Sequence, residues 1–274
     1  MLRQRIMTAL GLGPLFFAAI ILLPVWAVEA LCLCLSLLFL YEYWGIVHSG
    51  TVSGGSLISV KLMAYLMFGA APPILHWMLD GNLPYSGWLF IYLVFSLLMV
   101  MVTYDSLKAP FNSLSIYLFG FLYMSMFLFP AFGILDLAQG RVLIIYLLVV
   151  VFSGDIFAYS VGKAFGRHRL CPEISPKKTV EGALGGLTAS LVFGGLYAHL
   201  FIKGFGDPTG ILLAGGLGAF AQLGDLMESI LKRTYGVKDS GWFLPGHGGF
   251  LDRFDGVIFA LPVFYTVLQV LQNG

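Results

Sequence analysis

The sequence predicts an all-α integral membrane protein of nine transmembrane helices, with the N-terminus cytoplasmic and the C-terminus on the opposite side. Three observations predict it. Hydrophobic residues make up 59% of the 274 and charged residues 11%, at a mean hydropathy of +0.90, whereas a soluble domain carries about 25% charged residues. Apolar runs recur at the length of about 20 residues that carries a helix across a bilayer. The positive charges segregate to alternate connections between those runs.

The runs fall at 8–27, 30–47, 57–79, 86–104, 113–135, 141–165, 180–202, 210–231 and 252–271. Gly11, Gly13 and Pro14 interrupt the first. Arg3 and Arg5 before it, with Val28-Glu29-Ala30 after it, have the outline of a secretory signal. The run is longer than a typical signal core and opens a polytopic chain, so a retained span is expected. Near the end of the second, Glu42 stands among Tyr41, Tyr43 and Trp44 and reads as an interfacial belt position. Pro72 and Pro73 interrupt the third, which membrane helices tolerate when neighbours satisfy the released carbonyls. Asp155 lies late in the sixth run, Glu181 opens the seventh, Asp225 and Glu228 lie in the eighth, and Asp252 and Asp255 open the ninth.

With the N-terminus in the cytoplasm, that side collects Arg3, Arg5, Lys61, Lys108, Lys163, Arg167, Arg169, Lys177, Lys178, Lys232, Arg233, Lys238 and Arg253. Arg141 and Lys203 alone fall opposite, an asymmetry that an even number of spans would break. Nine of the 29 charged side chains lie in residues 1–140. Residues 1–140 therefore read as a five-span scaffold. Residues 141–274 read as a four-span catalytic region with cytoplasmic loops at 166–179 and 232–251, the two forming one cooperative unit. No basic tail or stripe points to nucleic acid. Cys32 and Cys34 lie in an apolar run and Cys171 stands alone, so neither a disulfide nor a thiolate metal site is expected.

Charge at membrane depth is costly and marks function. Gln222, Asp225, Ser229 and Lys232 follow at intervals of three, four and three, on one helical face, with Glu228 placed to pair with Lys232 at i+4. The loop Gly241–Gly249 brings backbone amides within reach of an anion through Gly248 and Gly249, with His247 beside them. Asp252 and Asp255 are neighbours on the helix that follows. Paired carboxylates beside such a loop suit Mg²⁺, which takes oxygen ligands and keeps substrate phosphates in its shell. Ser175, Lys177, Lys178 and Thr179 precede a helix start, itself favourable to anions. Asp225 and Asp252, joined by Asp155 or Glu181, are expected to hold one or two cations, and basic residues of the two loops a polyphosphate. The chemistry is then metal-assisted displacement at phosphorus, with a lipid as acceptor. His48, His76, His168 and His199 have no partner pattern and read as structural or solvated.

The string Ser229-x-x-Lys232-Arg233, Lys238-Asp239-x-Gly241, Leu244-Pro245-x-His247-Gly248-Gly249-x-x-Asp252-Arg253-x-Asp255 resembles the signature of phosphatidate cytidylyltransferases, also called CDP-diacylglycerol synthases. Asp155 with Ala158-Tyr159-x-x-Gly162, and Ser175-Pro-Lys-Lys-Thr with Glu181-Gly182, resemble the family upstream. The resemblance covers about residues 150–256; the first five spans match in hydropathy alone. It implies that CTP and phosphatidate give CDP-diacylglycerol and pyrophosphate, with Mg²⁺ at Asp225 and Asp252 and room for a second cation, K⁺ included. It places Asp225, Asp252, Asp255 and Lys232 as catalytic residues. Ser175, Lys177, Lys178, Thr179, Ser229, Arg233, Lys238, Asp239, His247, Gly248, Gly249 and Arg253 are the substrate-binding ones. A homodimer is left open; the compact chain points to a bacterial inner or plasma membrane, and the cytoplasmic side of the two long loops to a site facing the cytoplasm. Ile156 departs from the pattern, since relatives often carry a hydroxyl residue after the aspartate, and this weakens Asp155 as a direct ligand. A CTP-dependent kinase acting on polyprenol or phytol, and an ion-coupled transporter using Asp155 and Asp225, are the competing readings.

Overall fold

The computed structural model describes residues 13–48, 60–79, 85–103, 110–203, 205, 207–241, 243 and 248–273. Nine helices run through the described residues: α1 (Gly13–Leu22), α2 (Val25–Val47), α3 (Val60–Met78), α4 (Tyr85–Thr103), α5 (Pro110–Leu135), α6 (Gly140–Phe165), α7 (Val180–Phe201), α8 (Asp207–Thr234) and α9 (Leu251–Asn273). Six of them (α2 and α5 to α9) are long and apolar enough to cross a membrane by length and composition. Their lateral faces expose large apolar side chains such as Leu22, Phe111, Leu184, Leu212 and Val270. With the backbone of each span paired mainly inside its own helix, this is a multi-pass membrane protein.

The junction of the first two runs differs from the sequence reading. The first run does not continue to residue 27: α1 ends at Leu22 and Pro24, at φ −62° and ψ 156°, starts α2 five residues before the expected Ala30. Proline cannot donate into a helix but suits the position before its first turn. The Phe16 ring lies against Phe254 at the start of α9, while Arg141 at the start of α6 donates to the Ile21 carbonyl at 2.6 Å. α1 thus runs antiparallel to α6.

The segment 166–179, read as a loop, contains a short antiparallel hairpin. Strand β1 (Arg169–Cys171) pairs with β2 (Ser175–Thr179), Arg169 opposite Thr179 and Cys171 opposite Ser175. The hairpin leads directly into α7, whose N-cap is Thr179; its hydroxyl accepts the Gly182 N–H at 3.1 Å.

α6 and α7 form the most extensive helix pair. Small residues let them approach closely: a Cβ at Gly182 would lie 2.7 Å from the Ala158 carbonyl oxygen. Hydrogen bonds from Ser190 Oγ to the Val150 carbonyl and from Gln222 Nε2 to the Ala183 carbonyl, both at 2.9 Å, fasten α7 to α6 and α8, the polar glue expected in a membrane. One buried cluster joins α5, α6, α8 and α9, and a second, aromatic one joins α2 to α5 around Tyr65, Tyr92 and Phe121. Phe254 contacts the rings of Phe39, Phe127 and Phe152 and so anchors the start of α9 against three helices. The ends of α2, α6 and α8, the starts of α7 and α9, and the hairpin meet on one face.

Candidate active site

Five elements deliver the charged side chains on that face. α8 presents Asp225, Glu228 and Lys232, and the first turn of α9 presents Asp252 and Asp255. Lys232 Nζ donates to Glu228 Oε2 at 2.6 Å, the i+4 pair that the spacing predicts, and crosses to Asp252 Oδ1 at 2.5 Å. The other Asp252 oxygen accepts backbone hydrogen bonds from Ser240 N at 2.9 Å and Gly249 N at 2.8 Å, and the Ser240 hydroxyl, whose single proton it shares with Glu42, lies 3.0 Å away. Gly248, at φ +83°, turns the chain so that this approach is possible; a Cβ there would sit 2.5 Å from Asp252 Oδ2. From β2, Lys178 Nζ reaches Asp225 Oδ2 at 2.6 Å, with the two side chains 24% and 38% exposed, so this edge of the site is open.

Ligand oxygens of Asp225, Glu228 and Asp255 lie within 4.8 Å of one another. Glu228 and Asp255 are buried, and Glu228 Oε1 has no hydrogen-bond partner among the described residues. A buried carboxylate oxygen left unpaired is costly, and three like charges repel unless something positive joins them. The arrangement therefore has the donor set of a hard-cation site.

The remaining sequence candidates divide. Asp155 on α6 is within electrostatic reach of Asp225, Lys178 and Arg253 of α9. Ser229 is half-buried on α8, and Lys177, Lys238 and Asp239 are exposed. Arg233 turns to the hairpin and donates to the Ile174 carbonyl at 3.3 Å. Glu181 is engaged elsewhere: it accepts the Arg167 and His168 backbone N–H groups at 3.0 and 3.2 Å, and its Oε1 lies 2.6 Å from His168 Nδ1. His168, read from the sequence as unpartnered, thus helps hold the entry to the hairpin. His247 lies outside the described residues.

Glu42 is the largest correction. It is not a belt residue at the interface but 2% exposed, inside the site. Its carboxylate accepts Phe250 N at 2.9 Å, Leu251 N at 2.8 Å and Ser240 Oγ at 3.0 Å. Tyr123 of α5 was also missed. Its hydroxyl is buried without a partner among the described residues and lies within electrostatic reach of Asp225, Glu228, Asp252 and Asp255. One available sign for Glu42 was a full charge in a span otherwise without acid beyond Glu29; nothing local singles out Tyr123.

A 133-residue segment is 47% identical to the phosphatidate cytidylyltransferase of Bacillus subtilis (strain 168), covering 48% of this chain and 49% of that protein. Proteins of the same name from Staphylococcus aureus (strain COL) and Staphylococcus haemolyticus (strain JCSC1435) match at 47% identity over 133 residues, 48% of this chain and 50% of theirs. The chain spans about half the length of the curated relatives it matches. The model of the cytidylyltransferase family matches residues 3–271. With that match running nearly from end to end, this chain belongs to the cytidylyltransferase family.

Proposed function

We propose that the protein transfers the cytidylyl group of CTP to phosphatidate, giving CDP-diacylglycerol and pyrophosphate. The observation that carries the reading is the trio of Asp225 at the open edge with buried Glu228 and Asp255, with its unpartnered Glu228 oxygen, beside the lysines of β2 and α8. The name shared by the relatives supports the substrate pair.

An all-oxygen, three-carboxylate donor set fits Mg²⁺. Asp225, Glu228 and Asp255 would hold it; Asp252, expected from the sequence as a ligand, has both oxygens engaged by Lys232, Ser240 and Gly249, and Asp155 near Asp225 leaves a carboxylate for a second cation such as K⁺. Bound Mg²⁺ supplies neutralisation of the charge on the leaving pyrophosphate. The chain's own part is positioning and charge. Lys178 at the open edge beside Asp225, with Arg253 near Asp155, would bind the triphosphate, and the exposed Lys177 and Lys238 would add positive charge for it. Lys232 keeps Asp252 and Glu228 in one arrangement. A phosphatidate oxygen, already ionised because phosphate monoesters have a second pKa of about 6, attacks the α-phosphorus. The bond from that phosphorus to the bridging β-oxygen breaks, and pyrophosphate departs with the electron pair. Holding the two anions at reacting distance removes much of the entropic barrier.

The same reading places nine spans across a bacterial inner membrane, N-terminus and site in the cytoplasm. The charge asymmetry supports this, as does the grouping of the ends of α2, α6 and α8 with the starts of α7 and α9. The lipid reaches the site laterally and CTP from the aqueous side.

CTP labelled at the α- or the γ-phosphorus tests the reaction. The α-label is expected in the lipid product and the γ-label in pyrophosphate. Transfer of the γ-label to lipid, with CDP left behind, would instead identify a CTP-dependent lipid kinase.

A further inference from the structure

Phe250 and Leu251 are the residues at the entry to α9, and their amides need acceptors. Helices usually meet that need with a nearby Ser, Thr, Asp or Asn. Here the acceptor comes from α2: Phe250 N donates to Glu42 Oε1 and Leu251 N to Glu42 Oε2. The remaining contact runs through Ser240, whose hydroxyl lies 3.0 Å from Glu42 Oε2 and 3.0 Å from Asp252 Oδ2. One hydroxyl therefore links a carboxylate of the front half of the chain to the carboxylate that Lys232 grips.

The glycines around it match this arrangement. A Cβ at Gly241 would lie 2.7 Å from Glu42 Oε1, and one at Gly249 would overlap both Ser240 Oγ and the Glu42 carboxylate. Two glycines of the polar loop thus give room to Glu42 itself. A neutral amide at position 42 would turn an NH₂ group toward one of these donors. The carboxylate is the side chain that accepts from all of them.

We infer that Glu42 is a positioning residue for cytidylyl transfer, fixing Asp252 through Ser240 and tying the entry of α9 to α2. The inference rests on the reaction proposed above, and its test separates the two. Glu42→Gln, Ser240→Ala and the double variant are purified in detergent with the full-length wild type. Amide hydrogen exchange at residues 249–251 and CDP-diacylglycerol kinetics are then read on each.

Glu42→Gln is expected to speed exchange at 249–251 at least about tenfold while α6 and α7 stay protected, since the loosening is local. It should lower kcat at least about tenfold and leave the CTP KM within about threefold, the pattern of misplaced rather than lost binding groups. The double variant should fall within about twofold of Glu42→Gln alone, because both changes cut one linkage, and Glu42→Asp should restore part of kcat. Unchanged exchange in a folded Glu42→Gln, faster exchange with unchanged kcat, or additive losses would each overturn the inference. If Glu42→Gln does not fold, Ser240→Ala decides: a kcat-specific loss supports the linkage and wild-type kcat overturns it. A wild type that makes no CDP-diacylglycerol sinks the proposed reaction, and the exchange data then judge the Glu42 contacts by themselves.

Discussion

Lys232 Nζ on α8 lies 2.5 Å from Asp252 Oδ1 on α9, and this ion pair bridges two membrane helices while also holding Glu228. The three side chains are 11%, 9% and 1% exposed, so solvent screens the pair little. Removing the cation from such a pair leaves two buried carboxylates facing each other. Lys232→Met is therefore expected to cost about 3–5 kcal/mol of stability and to abolish turnover. Thermal unfolding in detergent, followed by loss of the monodisperse peak, checks it; an unchanged midpoint would show the bridge to be dispensable.

Glu228→Gln removes charge from the acidic trio at the oxygen that lacks a partner. The half-saturating Mg²⁺ concentration should rise at least about tenfold, equivalent to about 1.4 kcal/mol, with the fold retained. A metal titration of turnover measures this. An unshifted titration would take Glu228 out of the cation site.

Lys178→Ala removes a charge from the open edge of the site, where it reaches Asp225. Loss of one charged contact to phosphate is worth about 1.5–3 kcal/mol, so the CTP KM should rise about tenfold or more while the Mg²⁺ requirement stays the same. Unchanged KM values for both CTP and phosphatidate would make the β1–β2 hairpin an anchor only.

Gly249→Ala and Gly216→Ala form a matched pair. A Cβ at Gly249 would overlap Ser240 Oγ and Glu42, while one at Gly216 meets nothing within 4 Å. The first should lower activity at least about tenfold, by the misplacement that tight sites punish. The second should leave activity unchanged and stabilise α8 by about 0.5–1 kcal/mol. Equal activities would show that the loop around Gly249 is not constrained.

How far the sequence foretold the site depends on the distance between partners. Asp225, Glu228 and Lys232 share a helix, so their spacing alone places them together, and the Lys232–Glu228 pair forms as that spacing requires. Asp252 and Asp255 follow from the same helical arithmetic. Glu42 meets residues about two hundred positions later, and no local pattern encodes such a contact; its aromatic neighbours pointed to the interface instead. Tyr123 was hidden for the same reason. The hairpin at 169–179 is too short for alternation to show, and Glu181 was drawn away from the cation site by the backbone amides of Arg167 and His168, which lie next to it only once the hairpin forms. Pro24 separates α1 from α2, and a break of two residues, Leu23 and Pro24, is invisible to a running hydropathy sum.

The most direct test of the central claim is pyrophosphate release by the detergent-purified protein given CTP, phosphatidate and Mg²⁺. Release is expected in step with CDP-diacylglycerol formation, lost with EDTA and lost in a folded Asp252→Asn variant. Release that continues in EDTA or in Asp252→Asn, or no release by folded protein supplied with both substrates, would contradict the claim.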